Sequence, residues 1–437
     1  MKLRFALVPV LALIGCVVTV QAQGTGQERW VTTWATAQLL VQAPPPPVAA
    51  PAQAGQPAAA AGQPSPPVQR PVALRGFHNQ TLRMMARVSV GGRRVRVRLA
   101  NAFGDPPVAI GAAHIGLHAK DSEVVPGSDR ALTFNGHPGC VIGPGVVMLS
   151  DPVDLTVSPL ADLAVSLYFP EETGPPTTHT TALRSGYVSA EGNAAAQLAM
   201  PANSTPLTVY DWLAGIDVLA PADSAVIAAF GDSITDGARS MPDTNHAWPA
   251  LLAARLAANK ETANIAVANL GIGGNRVLRD GTGASALARF DRDVLGQSGV
   301  KWLMILEGIN DIGRGATVPA EAVTADDLIG GYKQIVDMAH AHGIQAIGCT
   351  LLPFEGAPYY KESGEPIREA VNAWIRTSGA FDAVVDFEAA TRDATNPRKI
   401  REAFDPGDHL HPNDAGYQAL ADAIDLSLFT GKRAPRN

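Results

Sequence analysis

The rhythm of apolar and polar positions changes once along the chain, near Pro221. Before it, the run LRMMARVSVGGRRVRVRLANAFG, starting at Leu82, alternates apolar and polar residues. Alternation predicts half-buried strands. Val95, Val97 and Leu99 fall on one face, and Arg94, Arg96 and Arg98 on the other. The Gly91-Gly92 pair at the centre predicts a tight hairpin turn. The arginine row reads as a solvated strand face in preference to an anion site. VAIGAAHIGLHA, PVDLTVS and DLAVSLYFP follow as further short strands, separated by turn residues and without helical period. Residues 24–220 are therefore expected to form a β-sandwich or jelly-roll domain. A Pro/Ala-rich insert at 41–72 interrupts it; its composition cannot build a core and reads as a mobile, partly polyproline segment.

After Pro221, apolar runs of strand length alternate with helical stretches. Strands are expected at Ala225–Phe230, Asn264–Leu270, Lys301–Leu306, Ile344–Thr350 and Ala383–Phe387. Helices are expected near Trp248–Ala258, Ala284–Leu295, Ala325–His342 and Pro366–Thr377, with a last one after Pro412. This alternation predicts an α/β domain over 221–437, with a parallel sheet covered on both faces. Chemistry in such sheets gathers at the carboxyl ends of the strands.

Composition narrows the reading. The formal net charge of −7 argues against a nucleic-acid partner, which would require basic stripes. Lys2 and Arg4 precede an apolar run from Phe5 to Val20, and Val20-Gln21-Ala22 offers a small-x-small cleavage site. Residues 1–22 read as a signal peptide, which implies a secreted or periplasmic protein. Leu13-Ile14-Gly15-Cys16 offers a rival reading, a lipoprotein box that leaves a lipidated Cys16. No other stretch reads as a bilayer span. Beyond the leader remain Cys140 and Cys349, expected as two separate buried thiols.

Four short stretches at strand ends carry candidate chemistry. Ser233 in GDSITDG follows the first strand; it can cap a helix or, given a base, act as a nucleophile. NLGIGGNR, after the second strand, lets backbone N–H groups approach a reacting oxygen through Gly271, Gly273 or Gly274. Asn310 in GIND, after the third, can close an Asx-turn or donate its amide to an oxyanion. In DPGDHLHP, Asp408 and His411 are spaced so that one turn could hold both, as a base and its orienting carboxylate require. Asp405, Asp408, His409 and His411 could instead ligate a metal, although no second cluster completes a shell.

GDSITDG, NLGIGGN, GIND and DHLHP, in this order, resemble the motif blocks of the SGNH hydrolases, also called GDSL esterases and lipases. The resemblance covers residues 225–430. It implies a three-layer α/β/α, flavodoxin-like fold with a five-stranded parallel sheet, and a secreted serine ester hydrolase that needs no cofactor and no metal. It further implies Ser233 as nucleophile, His411 as base and Asp408 as its partner. The oxyanion hole would comprise Ser233, Gly274 and Asn310. His409 is the alternative base, disfavoured because Pro412 follows His411. The expected substrate is a small-molecule or polysaccharide ester, with a carbohydrate acetyl ester as the leading expectation. Lipid or aryl esters are the alternative, and a non-catalytic carbohydrate-binding surface protein is the reading from another class. Trp248, Phe290, Phe354, Tyr359 and Tyr360 are expected as core or rim packing before subsite lining. The loop Leu352–Pro366 is expected to overhang the site, and His179 is a candidate contribution from the β domain.

Overall fold

The computed structural model describes residues 27–40 and 76–430. The expected signal peptide, Cys16 and the whole of the 41–72 insert lie outside the described residues.

Apolar runs after Pro221 form a five-stranded, wholly parallel sheet. Its order is Ile265–Gly271, Ala225–Gly231, Val300–Leu306, Gln345–Cys349, Ala383–Val385. Every residue of Ala225–Gly231 is buried, which is why that strand reads as a continuous apolar run without alternation. Helices Trp248–Ala258, Ala325–Ala341, Glu365–Thr377 and Asp414–Asp422 cross over between or follow the strands. The stretch expected as one helix at Ala284–Leu295 divides into an α-helical turn, Ala286–Phe290, and a π-helical turn, Asp291–Leu295. The strand order 2-1-3-4-5 places the switch point at the carboxyl end of Ala225–Gly231, where such sheets bind ligands.

The amino-terminal region is built of antiparallel sheets. In one, Gln80–Arg87 pairs with Asp162–Phe169 and Gly186–Val188; in another, Gly92–Ala100 pairs with Leu213–Pro221, Val153–Val157 and Val147–Leu149. The expected hairpin at Gly91-Gly92 is therefore wrong: its two strands belong to different sheets, and Val88, Ser89 and Val90 carry the chain between them. The glycines serve close backbone approach. A Cβ on Gly91 would sit 2.3 Å from the Val157 oxygen, and one on Gly92 2.6 Å from the Leu219 oxygen. Alternation showed which face each strand buries and said nothing about its partner.

The arginine row is a second correction. Asp217, fully buried, stands opposite Arg96 on the neighbouring strand and pairs with Arg96 at 2.8 Å and Arg98 at 3.3 Å. Arg98 Nη1 also donates to the Gly296 carbonyl at 2.5 Å. This face docks against the α/β region through Arg96 and Arg98, which reach Gly296, Gln297 and Ser298. The contact continues along the sheet edge. Ser89 Oγ accepts from the Val267 amide at 3.0 Å, and Thr32 and Ser298 exchange two hydrogen bonds of 2.9 Å. Edge strand Ile265–Gly271 is thus covered by the amino-terminal antiparallel region.

Cys349 is buried and Cys140 is only half-buried; both are free. Burial pushes the Cys140 thiol up to about 11 and raises Cys349 further. No described helix is long and apolar enough to cross a membrane.

Candidate active site

Strand Ala225–Gly231 ends in a sharp entry into a single helical turn, Ser233–Asp236. Gly231 is required for that entry, since a Cβ there would lie 2.2 Å from the Leu306 oxygen and 2.3 Å from Thr235 Oγ1. The helix cap is Asp232, whose Oδ1 accepts from the Ile234 amide at 2.9 Å. Capping is thereby removed from Ser233, and its hydroxyl is left for another partner.

That partner is His411. Its Nε2 lies 2.8 Å from Ser233 Oγ, and its Nδ1 lies 2.9 Å from Asp408 Oδ2. With Nδ1–H donating to the carboxylate, Nε2 is free to accept the serine proton. Asp408 Oδ1 accepts from the amides of Leu410 and His411, and Arg239 Nε donates to Oδ2 at 2.8 Å. Burial opposes the charge on Asp408, but the His411 amide, the His411 ring and Arg239 together hold the carboxyl well below its ordinary range.

His409 takes no part in this contact. Its backbone is left-handed (φ 59°), its side chain is half exposed, and its Nδ1 lies 2.5 Å from Asp405 Oδ2. The four residues that could have formed a metal shell are thus two separate His–Asp pairs. Among the described residues no group of three or more His, Cys, Asp or Glu is arranged for a metal ion.

The second and third strand ends meet around Asn310. Its Nδ2 donates to the Asn275 carbonyl at 2.9 Å, and its Oδ1 accepts from Tyr359 Oη at 3.1 Å. Gly274 precedes Asn275 with φ 74°, and both Gly274 and Asn310 line a cavity of about 380 Å³ with Arg276, Gly281, Thr282, Arg314, Thr317 and Tyr359. Gly271 does different work: a Cβ there would lie 2.2 Å from the Asp236 amide, so it lets the serine-bearing turn pack on the second strand. Gly273 has neither the left-handed backbone nor a place in that cavity.

Among the five aromatics, Trp248, Phe290 and Phe354 are core. Tyr360 packs on Phe354 at 4.9 Å, while Tyr359 reaches the cavity. The Leu352–Pro366 loop carries Tyr359 there, and Gly313 makes room for its ring; a Cβ at 313 would lie 1.8 Å from Cδ2.

Beneath the site lies a charged cluster that sequence reading missed. Arg289, fully buried, donates to the carbonyls of Gly231 (2.9 Å) and Leu270 (2.7 Å) and to Asp293 (3.1 Å), with Glu307 at 3.6 Å. It ties together the ends of the first two strands. Burial pushes Asp232 up to about 7, Asp311 up to about 6, and Glu307 well above its usual value. An isolated arginine on a helix gives no sign of this role, because the carbonyls it serves are 19 and 58 residues away.

Residues 229–419 match the GDSL-like Lipase/Acylhydrolase family. No curated protein matches the chain. Among solved structures, an acetylxylan esterase from Geobacillus stearothermophilus is 24% identical, with 46% of this chain and 93% of that chain covered and a TM-score of 0.36. The acetyl xylan esterase AlAXEase is 23% identical, with 45% and 96% covered and a TM-score of 0.37. A GDSL-like lipase from Bacteroides thetaiotaomicron VPI-5482 is 19% identical, with 46% and 87% covered and a TM-score of 0.34.

Proposed function

Since residues 229–419 belong to the GDSL-like lipase/acylhydrolase family and form the domain of a carboxylic ester hydrolase, we propose that the chain cleaves short acyl esters through a Ser233 acyl-enzyme. The observation that carries this is the relay of 2.8 Å and 2.9 Å from Ser233 through His411 to Asp408.

In this mechanism His411 Nε2 takes the Ser233 proton as Oγ attacks the ester carbonyl. The carbonyl oxygen becomes the oxyanion of a tetrahedral intermediate. The amides of Ser233 and Gly274 and the free N–H of Asn310 stabilise it. His411 returns the proton to the departing alcohol, leaving an acyl-serine. Water, deprotonated by the same imidazole, then attacks that ester, and Ser233 recovers its proton as the acid leaves. Asp408 stabilises the imidazolium formed in each half without taking its proton.

The cavity beside Gly274 and Asn310 indicates the substrate class. Its lining is glycine, threonine, arginine, asparagine and one tyrosine, with no aliphatic side chain. Such walls suit a short acyl group on a hydroxyl-rich alcohol, as in a carbohydrate acetyl ester, better than a long acyl chain. The leader-like residues 1–22 support export, secreted or periplasmic. The change of rhythm at Pro221 supports a β domain over 24–220 and a hydrolase domain over 221–437.

Hydrolysis of p-nitrophenyl acetate tests the reading. Ser233→Ala should abolish nearly all turnover; a variant that keeps it would end the nucleophile assignment. Activity on acetylated xylan should exceed that on long-chain p-nitrophenyl esters, and the reverse order would overturn the substrate class.

A further inference from the structure

His179, from the β domain, touches the turn that carries Ser233. It ends strand Thr177–His179 and is 3% exposed. Its Nδ1 lies 2.8 Å from the Ala37 carbonyl oxygen. Its Nε2 lies 3.0 Å from Asp236 Oδ1 and 3.1 Å from the Thr181 carbonyl oxygen. All three partners are acceptors, so both ring nitrogens carry hydrogen and the ring is an imidazolium. Burial by itself lowers the pKa of His179, but the charge and hydrogen bond of Asp236, together with the Ala37 and Thr181 carbonyls, outweigh it and the net direction is upward.

Asp236 is 5% exposed and is the last residue of the turn Ser233–Asp236. Its Oδ2 has no hydrogen-bond partner, so His179 supplies this carboxylate's side-chain contact. A single turn has almost no internal ladder to keep it in shape. Its orientation depends on what grips it from outside: the Asp232 cap, the left-handed Gly237 after it, the second strand at Gly271, and His179.

The following loop is gripped from two sides as well. Asp243 accepts from the Ser185 amide at 2.8 Å and from its hydroxyl at 2.6 Å. Asp414, just beyond His411, accepts from the Met241 amide at 2.9 Å and lies 2.7 Å from His246 Nδ1. The β domain therefore reaches the nucleophile's turn directly and the His411 segment through one loop.

We infer that His179 is a positioning residue for ester hydrolysis: through Asp236 it holds the turn bearing Ser233 at the orientation that His411 can serve. The inference rests on the reading of Ser233 as the nucleophile. It makes the β domain part of the reaction machinery and gives it a role besides binding.

Two substitutions at one position test it. The amide nitrogen of a glutamine reaches the place of Nε2, so His179→Gln keeps a donor toward Asp236. That of an asparagine reaches only the place of Nδ1, so His179→Asn keeps the bond to Ala37 and loses the one to Asp236. Both remove the same buried charge, and a purely structural role would affect them alike. With p-nitrophenyl acetate, His179→Asn should lower kcat by about ten- to a hundredfold, the scale of a misplaced reacting group, with KM unchanged. His179→Gln should stay within about threefold of the parent chain. Equal kcat in the two variants, or losses confined to KM, would overturn the inference. Should His179→Asn fail to fold, Asp236→Ala, which leaves Nε2 no side-chain acceptor on the turn, asks the same question, and an unchanged kcat there gives the same negative answer. Ser233→Ala, assayed alongside, separates the failures: retained turnover removes the nucleophile reading itself, whereas its loss with Gln and Asn behaving alike removes only the role of His179.

Discussion

Tyr359 Oη donates to Asn310 Oδ1 at 3.1 Å, while Asn310 Nδ2 donates to the Asn275 carbonyl at 2.9 Å. The amide is held at both ends, which leaves one N–H for a substrate oxyanion. Asn310→Ala should cost about 2.7–4 kcal/mol of transition-state stabilisation, roughly 100- to 1,000-fold in kcat. Tyr359→Phe keeps the ring on Gly313 and loses one neutral hydrogen bond, about 0.5–1.5 kcal/mol or roughly 2- to 12-fold. Steady-state kinetics on p-nitrophenyl acetate should show both losses in kcat, with KM nearly unchanged. A wild-type rate for Asn310→Ala would remove it from the oxyanion hole.

Asp408 tests the orienting carboxylate. Asp408→Asn leaves a group of the same size but fixes the wrong tautomer on His411, an effect of about 10⁴-fold in kcat where such relays have been cut. The pH consequence has a definite sign. Because the folded pKa of Asp408 is depressed, its stabilising contribution is present above the ordinary carboxylate range near pH 3.9 and is lost only as pH falls further toward the folded value. The acid limb of kcat/KM should accordingly follow one protonation, that of the base. A two-proton limb above pH 4 would contradict this.

Asp211 should act in the opposite direction. It is fully buried opposite Thr178, and burial, only partly offset by the Thr178 hydroxyl, pushes it up to about 7. A carboxyl raised in the folded state favours folding below its unfolded pKa near 3.9, and that contribution drains away as pH rises to about 7. The thermal midpoint should fall between pH 5 and 7 from this group. Asp211→Asn should flatten that slope, as measured by scanning calorimetry across the interval; an unaltered slope would show that another group titrates.

Arg289 offers a stability test. Arg289→Met keeps much of the side-chain length but takes the cation from buried Glu307, leaves Asp293 to Arg292 alone, and frees two strand-end carbonyls. Breaking a buried pair from one side costs about 3–5 kcal/mol. Denaturant unfolding should show this as a lower midpoint. A neutral result would mean that the neighbouring acids simply take up protons.

Much of the α/β half was legible because both-face burial leaves a distinct trace: Trp248–Ala258 was read to the residue, and each parallel strand within about two positions. The candidate chemistry was legible because the turn, the glycines and Asn310 each lie within a few residues of a strand end, and Asp408–His411 lies just before helix Asp414–Asp422. What stayed hidden depends on pairs distant in the chain. His179 meets Asp236 across 57 residues and Arg239 meets Asp408 across 169. The Gly91-Gly92 pair looked like a turn because glycine's two uses, positive φ and close approach, leave the same letter in the sequence. The arginine row looked solvated because Asp217 lies on a strand more than a hundred residues further on.

The hydroxyl of Ser89 on the Val267 amide has a consequence for how this protein could be rearranged. That hydrogen bond occupies a donor on the outermost strand of the parallel sheet which would otherwise recruit a strand from another molecule. Exchanging the front half for an unrelated module would leave the sheet's margin bare unless the newcomer brought an acceptor to the same spot. Shuffled versions should therefore clump before they lose catalytic competence.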